Sequence, residues 1–228
     1  LRFFERAEIK HALSYMRLIA NANDDTALLR VINFPARGIG ARSLEQLQES
    51  ARAENCSIWQ AAINKVGNGK LGAKGIEGFV ALIRQMVDQA YGISLAEMTE
   101  LATSLSGLMA HYENDKEGED RIENLEELVN AAESFVTQEG FGKDAVALPV
   151  DEAMQSQADF AAAQAARGEA TPNEETGETL SPLAAFLTHA ALESGDNQAQ
   201  AGQDAVQLMT VHAAKGLEFD CVFITGLE

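Results

Sequence analysis

The residues best suited to chemistry lie in one short bend of the sequence, NFPARGIGARSLEQL at 33–47. Pro35 disfavours helix in the residue before it, and Gly38 and Gly40 leave main-chain N–H groups open to close approach. Arg37 and Arg42 add positive charge, and a helix predicted to begin just after the glycines points its N–H groups at the same bend. Such a bend is suited to holding phosphate oxygens without reading bases. The simpler alternative is a tight interhelical turn in which the glycines only relieve strain.

A second candidate is the stretch TVHAAKGLEFD at 210–220, which joins two predicted strands. Loops at strand ends commonly carry functional side chains. Thr210, His212 and Lys215 could contact an anion, and Glu218 could accept a hydrogen bond from a sugar hydroxyl. The stretch is not a Walker A loop, because it lacks the earlier glycine and the following Ser or Thr. Taken alone, a structural histidine and a solvated lysine remain the simpler alternatives.

Two other stretches resemble ligand sites and are interpreted as structural. GNGKLGAKG at 67–75 has no preceding strand and no Ser or Thr after either lysine, so we interpret it as a linker between helices. The acidic residues of 113–127 lack the alternating Asp/Asn pattern and the glycine of a calcium-binding EF-hand. We expect a solvated acidic face there.

Helical periodicity predicts the elements that position these residues. Apolar residues repeat at helical spacing over about 4–20, 76–90 and 122–135. Capping signals predict further helix starts at Asp24 or Asp25, at Ser43 with Gln46, at Ser57 with Gln60, at Ser94 with Glu97, and at Ser181 with Pro182. The β-branched, apolar stretches VQLMTV at 206–211 and CVFIT at 221–225 predict two buried strands. Residues of about 140–180 are poor in large apolar side chains, and we expect a flexible surface insertion there.

Composition limits the class of protein. The chain has 228 residues, 46% of them hydrophobic, and a formal net charge of −18, which argues against nonspecific coating of nucleic acid. A local basic contact remains possible because exposed charges are screened beyond roughly 8–10 Å. The apolar runs are far shorter than a membrane span, so we expect no membrane partner. Cys56 and Cys221 fit no metal or redox spacing, which favours a reducing cytoplasm. Both ends of the chain look cut, so we expect a piece of a longer protein.

Three stretches together closely resemble the UvrD/Rep/PcrA group of superfamily 1 DNA helicases, and its UvrD branch in particular. They are LRFFERAEIKHALSYMRLIAN at 1–21, the bend at 33–47, and VQLMTVHAAKGLEFDCVFITGLE at 206–228. RIENLEELV at 121–129 and SPLAAFLTHAALESG at 181–195 are also similar. VHAAKGLEFDCVF corresponds to helicase motif V, and RGIG corresponds to the motif with which the family binds duplex DNA. His11 stands where the family usually has Asp.

The resemblance implies a mainly α fold: a helical 2B-like accessory subdomain with a small strand–loop–strand remnant of a RecA-like motor domain at the C-terminus. Residues 1–22 would be a helix of motor domain 2A. Residues 23–200 would form the 2B subdomain, with the insertion at about 140–180. Residues 201–228 would return to motor domain 2A with motif V.

The resemblance also assigns residue roles. In the family, the RGIG bend contacts the phosphate backbone of the duplex ahead of the fork. The duplex contacts carried over to this chain are Arg37, Gly38, Ile39, Gly40, Arg42 and Ser43. Motif V lies between the single strand and the nucleotide. The single-strand contacts carried over are Thr210, His212 and Lys215, and the nucleotide contacts are Gly216 and Glu218.

The implied parent protein is an ATP-dependent 3′-to-5′ helicase of nucleotide excision and mismatch repair, located in the bacterial cytoplasm on the nucleoid. It would need ATP and Mg²⁺ and act on double-stranded and single-stranded DNA. This chain alone lacks the Walker A loop, the metal-binding acidic motif and the ATP-site arginines, so we expect it to bind no cofactor and to be inactive. Its expected roles are duplex binding and regulation of unwinding. The alternative is a protein-interaction module that docks mismatch-repair and excision-repair proteins, with duplex contact secondary; a self-contained enzyme lacks any catalytic cluster.

Overall fold

A computed structural model describes residues 2–67, 74–116, 118–142, 145–148, 180–194 and 221–224. Within these residues the fold is mainly helical, as predicted. A 3₁₀ helix at Phe3–Glu5 is followed by α1 (Ala7–Ala20), α2 (Asp25–Val31), α3 (Ala41–Glu54), α4 (Ile58–Gly67), α5 (Lys74–Gln89), α6 (Leu95–Leu105), α7 (Leu108–Glu113), α8 (Glu119–Gln138) and α9 (Pro182–Ser194). An isolated antiparallel bridge joins Ser94 to Val146.

Helix α1 lies at the centre of the fold. Its side chains are buried around most of the helix, and Ile9, Ala12, Tyr15, Met16 and Leu18 are all 0% exposed. It packs against α2, α5, α6, α8 and α9, so the helix assigned by resemblance to the motor domain shares one hydrophobic core with the helices that follow it.

A polar contact fixes α8 on the start of α1. The side chain of Asn124 accepts a hydrogen bond from Arg6 and donates one to Glu8 Oε1 at 2.8 Å. Leu125 and Leu128 on the same helix are buried in the core. The motif RIENLEELV therefore supplies both the apolar face of α8 and the asparagine that sets its register on α1.

Most of the predicted helix starts are confirmed. Asp24 Oδ1 accepts from the N–H of Ala27 at 2.9 Å, Ser94 and Glu97 form a complete capping box, and α9 begins at Pro182. Ser57 Oγ accepts from the N–H of Gln60 at 3.0 Å. Each of these caps is worth about 1 kcal/mol of helix stability.

The predicted start of α3 at Ser43 is wrong. The helix begins at Ala41 with Gly40 as its N-cap, and no side chain caps it. The buried side chain of Ile39, 4% exposed, anchors the chain immediately before this point, and Gly40 follows in an extended conformation. Anchoring by tertiary packing therefore places the N-cap three residues earlier, at Gly40, than the local capping pattern at Ser43 indicates.

The strand predicted at 221–225 is not confirmed. Residues 221–224 have no regular secondary structure, and Val222, Phe223 and Ile224 are exposed. A strand is stable only when neighbouring strands take up its hydrogen bonds, and no described segment provides one for these residues. The strand predicted at 206–211 and most of the insertion at about 140–180 lie outside the described residues.

Candidate nucleic-acid interface

The bend between α2 and α3 is held by one asparagine side chain. Asn33 Oδ1 accepts hydrogen bonds from the main-chain N–H of Arg37 at 2.9 Å and of Ile39 at 3.1 Å. The peptide bond between Phe34 and Pro35 is cis, and Gly38 has a φ of +73°, in the left-handed region that favours glycine. We call residues 33–43 the corner. Two of its amides are thus used internally to shape it.

The side chain of Arg37 points into the protein. Its guanidinium donates to the carbonyl oxygens of Val31 at 3.1 Å, Pro35 at 3.0 Å and Ser106 at 2.8 Å. It also lies over the rings of Tyr15, at 5.7 Å, and Phe79, at 5.6 Å. The guanidinium is therefore occupied by protein acceptors, and Arg37 joins the corner to the junction between α6 and α7.

Tyr15 supports the same arrangement from α1. Its hydroxyl donates to the carbonyl oxygen of Phe34 at 2.5 Å and of Val31 at 3.2 Å. Burial raises the pKa of Tyr15 to about 12, although the nearby Arg37 opposes the shift. The hydroxyl consequently stays protonated and able to donate over the whole physiological pH range.

The outer side of the corner keeps its donors free. In the part of the chain that the structure describes, the main-chain N–H groups of Gly38, Gly40, Ala41 and Arg42 make no hydrogen bond. Both glycines are exposed, and a Cβ placed on either would meet nothing within 4 Å. The Arg42 side chain is exposed, while the N–H of Ser43 already donates to the carbonyl of Gly40 at 3.0 Å. The free donors and Arg42 together form a surface that can take an anion.

Helix α5 closes the inner side of the corner. A Cβ on Gly75 would lie 2.5 Å from the carbonyl oxygen of Arg37 and 2.7 Å from Cγ1 of Ile39. Only a glycine permits this approach, because real Cβ atoms are essentially never so close to a backbone oxygen. The stretch 67–75, interpreted from sequence as a linker, therefore ends in a residue that supports the corner.

An aromatic cluster lies against the other side of the corner. Phe34 stacks on His11 with ring centroids 4.0 Å apart and meets His111 edge-on at 4.9 Å. His111 in turn contacts Tyr112, and the Arg121 guanidinium lies over the Tyr112 ring, 5.3 Å from its centroid. The buried Nδ1 of His11 has no hydrogen-bond partner among the described residues. The cluster connects α1, α7 and α8 to the corner through the ring of Phe34.

Protonation of His11 should weaken the fold. Burial, and secondarily Arg30, lowers the pKa of His11 from 6.5 to about 4. Between these values the unfolded chain takes up a proton that the folded chain does not, so stability is complete above pH 6.5 and falls as the pH drops toward 4. Because the ring is only partly buried, solvent screening limits the loss to about 1–2 kcal/mol.

The measurement is thermal unfolding from pH 7 to pH 4.5 for the native chain and for His11→Phe, which keeps the stack on Phe34 and cannot be protonated. We expect a smaller fall in Tm for the variant than for the native chain over this range. Equal slopes in the two proteins would show that His11 does not carry the effect.

The corner brings together all six of the predicted duplex contacts, with different exposures. Gly38, Gly40 and Arg42 face solvent, Ser43 is partly exposed, Ile39 is buried, and Arg37 is bonded inward. The other five predicted contacts lie outside the described residues; they are Thr210, His212, Lys215, Gly216 and Glu218.

Sequence reasoning missed three residues that build the corner: Asn33, Gly75 and Ser106. Asn33 had a local signal, because asparagine side chains commonly accept hydrogen bonds from nearby backbone amides in turns. Gly75 and Ser106 are brought to the corner by tertiary folding and had none. Among the described residues, no group of His, Cys, Asp and Glu could hold a metal ion, and no helix is long and apolar enough to cross a bilayer.

The fold and the corner define a helical domain with an exposed, anion-accepting bend. The family model of the UvrD-like helicase C-terminal domain matches residues 1–228, and the chain belongs to this family. DNA helicase II of Escherichia coli (strain K12) is 42% identical over 233 residues, and that of Haemophilus influenzae is 37% identical. The ATP-dependent DNA helicase PcrA of Bacillus subtilis is 32% identical over 231 residues. Each match covers 100% of this chain and 27% of the relative, so the chain spans about a quarter of the length of these relatives.

Proposed function

We propose that the chain is the part of an ATP-dependent DNA helicase that grips duplex DNA by its sugar–phosphate backbone. The observation that carries the proposal is the set of four unbonded main-chain N–H groups at Gly38, Gly40, Ala41 and Arg42, found within the described residues beside an exposed arginine side chain. Main-chain donors and arginine side chains can bind phosphate oxygens, and such phosphate contacts carry no base information. The names of the relatives, DNA helicase II and ATP-dependent DNA helicase PcrA, support DNA as the ligand.

Within this proposal the residues of the corner have two different tasks. Arg42 and the open amides contact phosphates. Arg37, Asn33 and Gly75 lie on the protein side of the corner and fix the positions of those donors. The hydrogen bonds support this division, because Arg37 donates to three carbonyl oxygens and Arg42 has no ion pair among the described residues.

Family membership supports the remaining proposals for the parent protein. We propose that Thr210, His212 and Lys215 contact single-stranded DNA and that Gly216 and Glu218 lie near the nucleotide. The parent enzyme would use ATP with Mg²⁺ in the bacterial cytoplasm and serve DNA repair, and the grip of the corner on the duplex would regulate unwinding. The isolated chain, whose sequence contains no Walker A loop, would not turn over ATP.

Removal of Arg42 tests the duplex grip. The measurement is a fluorescence titration with a labelled hairpin duplex at several salt concentrations. We expect Arg42→Ala to bind several-fold more weakly at low salt and to lower the salt slope by about 1, because one phosphate contact is lost. The matched control is Arg52→Ala, which removes the same charge from the exposed C-terminal end of the same helix. Equal effects of the two substitutions would indicate a diffuse charge effect and contradict the proposal.

The steric arm of this experiment uses Gly40→Val. A Cβ at Gly40 meets nothing within 4 Å in the protein, and its φ of −78° suits any residue. We therefore expect at most a small change in Tm, from the weaker N-cap, together with a loss of duplex affinity of about tenfold, because the valine blocks the DNA backbone. Unchanged affinity in Gly40→Val would mean that the duplex does not approach these amides.

A further inference from the structure

A groove lies between α6 and α8, and none of its lining residues belongs to the corner. It has a volume of about 460 Å³. Its apolar lining comes from Met109, Leu125 and Val129, and Glu100 and Glu126 line it from opposite helices. Both glutamates are exposed, and no Lys or Arg in the described part of the chain is within ion-pair distance of either carboxylate.

The polar atoms of the lining are suited to accept hydrogen bonds. Besides the two carboxylates, the groove is lined by the oxygen-bearing side chains of Thr103, Ser104 and Asn130. The Asn130 amide nitrogen faces Glu127 at 3.5 Å, and the Thr103 hydroxyl donates to the main chain of its own helix. None of the lining residues is basic. A ligand that fits must therefore bring its own donors and positive charge.

The region around the groove is also negatively charged. Residues 95–138 contain eleven Asp and Glu against two Lys and Arg, which is half of the formal net charge of −18. Such a field attracts a cationic partner and repels phosphate. The groove is consequently unsuited to DNA, in contrast to the corner.

We propose that this groove docks a basic segment of a partner protein, with one lysine or arginine side chain inserted between α6 and α8. The aliphatic stem of such a side chain packs on Met109, Leu125 and Val129, while its charged end reaches Glu100 and Glu126. Long basic side chains commonly divide between apolar and polar surroundings in this way. Charge complementarity selects this occupant over a nucleic acid and over a second copy of the acidic chain.

The test is methyl NMR of the 228-residue chain, titrated with the peptide Ac-Ala-Ala-Lys-Ala-Ala-NH₂. The matched control peptide carries norleucine in place of lysine, which keeps the stem and removes the charge. We expect the lysine peptide to shift the methyl signals of Met109, Leu125 and Val129, with dissociation constants in the millimolar range for so short a probe. We expect the norleucine peptide to bind at least fivefold more weakly.

Two protein variants make the result specific. Glu100→Gln combined with Glu126→Gln should weaken binding of the lysine peptide at least fivefold. Glu119→Gln combined with Glu123→Gln removes the same charge from exposed positions of α8 outside the groove lining, and should leave the affinity within twofold of native. Equal binding of the two peptides, equal effects of the two double variants, or self-association of the chain through the same methyl groups would each overturn the proposal.

Discussion

Gly75→Ala should weaken both the fold and the proposed binding of duplex DNA, although it adds a single methyl group in the first turn of α5. The new Cβ would lie 2.5 Å from a backbone oxygen and 2.7 Å from a buried isoleucine, and neither can give way cheaply. Either α5 or the corner must shift. We expect a loss of about 1–3 kcal/mol of unfolding free energy, as for other overpacked sites. For a chain of this size that corresponds to a fall in Tm of about 2–12 °C.

The same helix provides the control. Gly78 lies one turn further along α5, is exposed, and a Cβ added there would meet nothing within 4 Å. Gly78→Ala should therefore raise stability by roughly 0.5–1 kcal/mol, because alanine is the better helix former. Duplex affinity should fall about tenfold in Gly75→Ala and stay at the native value in Gly78→Ala. Changes of the same sign in both variants would mean that packing of α5 on the corner is not the cause.

The corner illustrates which structural features are local in sequence. The exposure of Gly38, Gly40 and Arg42 agrees with the sequence interpretation. A proline, two glycines and the start of a helix determine the backbone over only a few residues, so their effect can be predicted locally. The sequence did not predict that the Arg37 side chain turns into the protein, because the Ser106 carbonyl that accepts its hydrogen bond is 69 positions away in sequence. A flanking arginine has the same local pattern whether it faces phosphate or a buried carbonyl, so only the tertiary structure separates the two roles.

Helix boundaries likewise depend either on local capping or on tertiary packing. Asp24 and Ser94 cap their helices as predicted because nothing in the tertiary structure competes with the local hydrogen bond. At Ser43 the predicted side-chain cap does not form, because burial of the Ile39 side chain fixes the backbone ahead of the helix. A buried aliphatic side chain is worth about 1.5–3 kcal/mol, compared with about 1 kcal/mol for a cap, so the packing sets the boundary.

Residues at the junction of α6 and α7 contribute to both candidate surfaces. Ser106, the acceptor for Arg37, follows shortly after Thr103 and Ser104 of the groove, and Met109 comes shortly after it. The corner presents donors and positive charge, whereas the groove presents acceptors and negative charge. This separation of charge would let one helical domain hold DNA and a basic protein segment at the same time without competition between them.

Replacement of Arg37 should have the largest effect on stability of any single change in the corner. Arg37→Ala removes three hydrogen bonds to main-chain carbonyls and two contacts with aromatic rings, and it leaves the carbonyl of the buried Ser106 without this donor. A hydrogen bond to a charged group contributes about 1.5–3 kcal/mol, and the effects of neighbouring bonds do not add fully. We expect a loss of about 3–4 kcal/mol, measured by denaturant unfolding, with a fall in Tm of about 10 °C.

Arg37→Lys separates a structural role from a phosphate contact. An ammonium group keeps the charge but cannot donate in the planar fork that reaches the carbonyls of Val31, Pro35 and Ser106 together. If Arg37 holds the corner from behind, lysine should lose most of the stability that alanine loses, and duplex affinity should fall with it. Arg42→Ala, by contrast, should lose duplex affinity at native Tm. Native stability and duplex affinity in Arg37→Lys would contradict the structural role, because the charge alone would then be sufficient at this position.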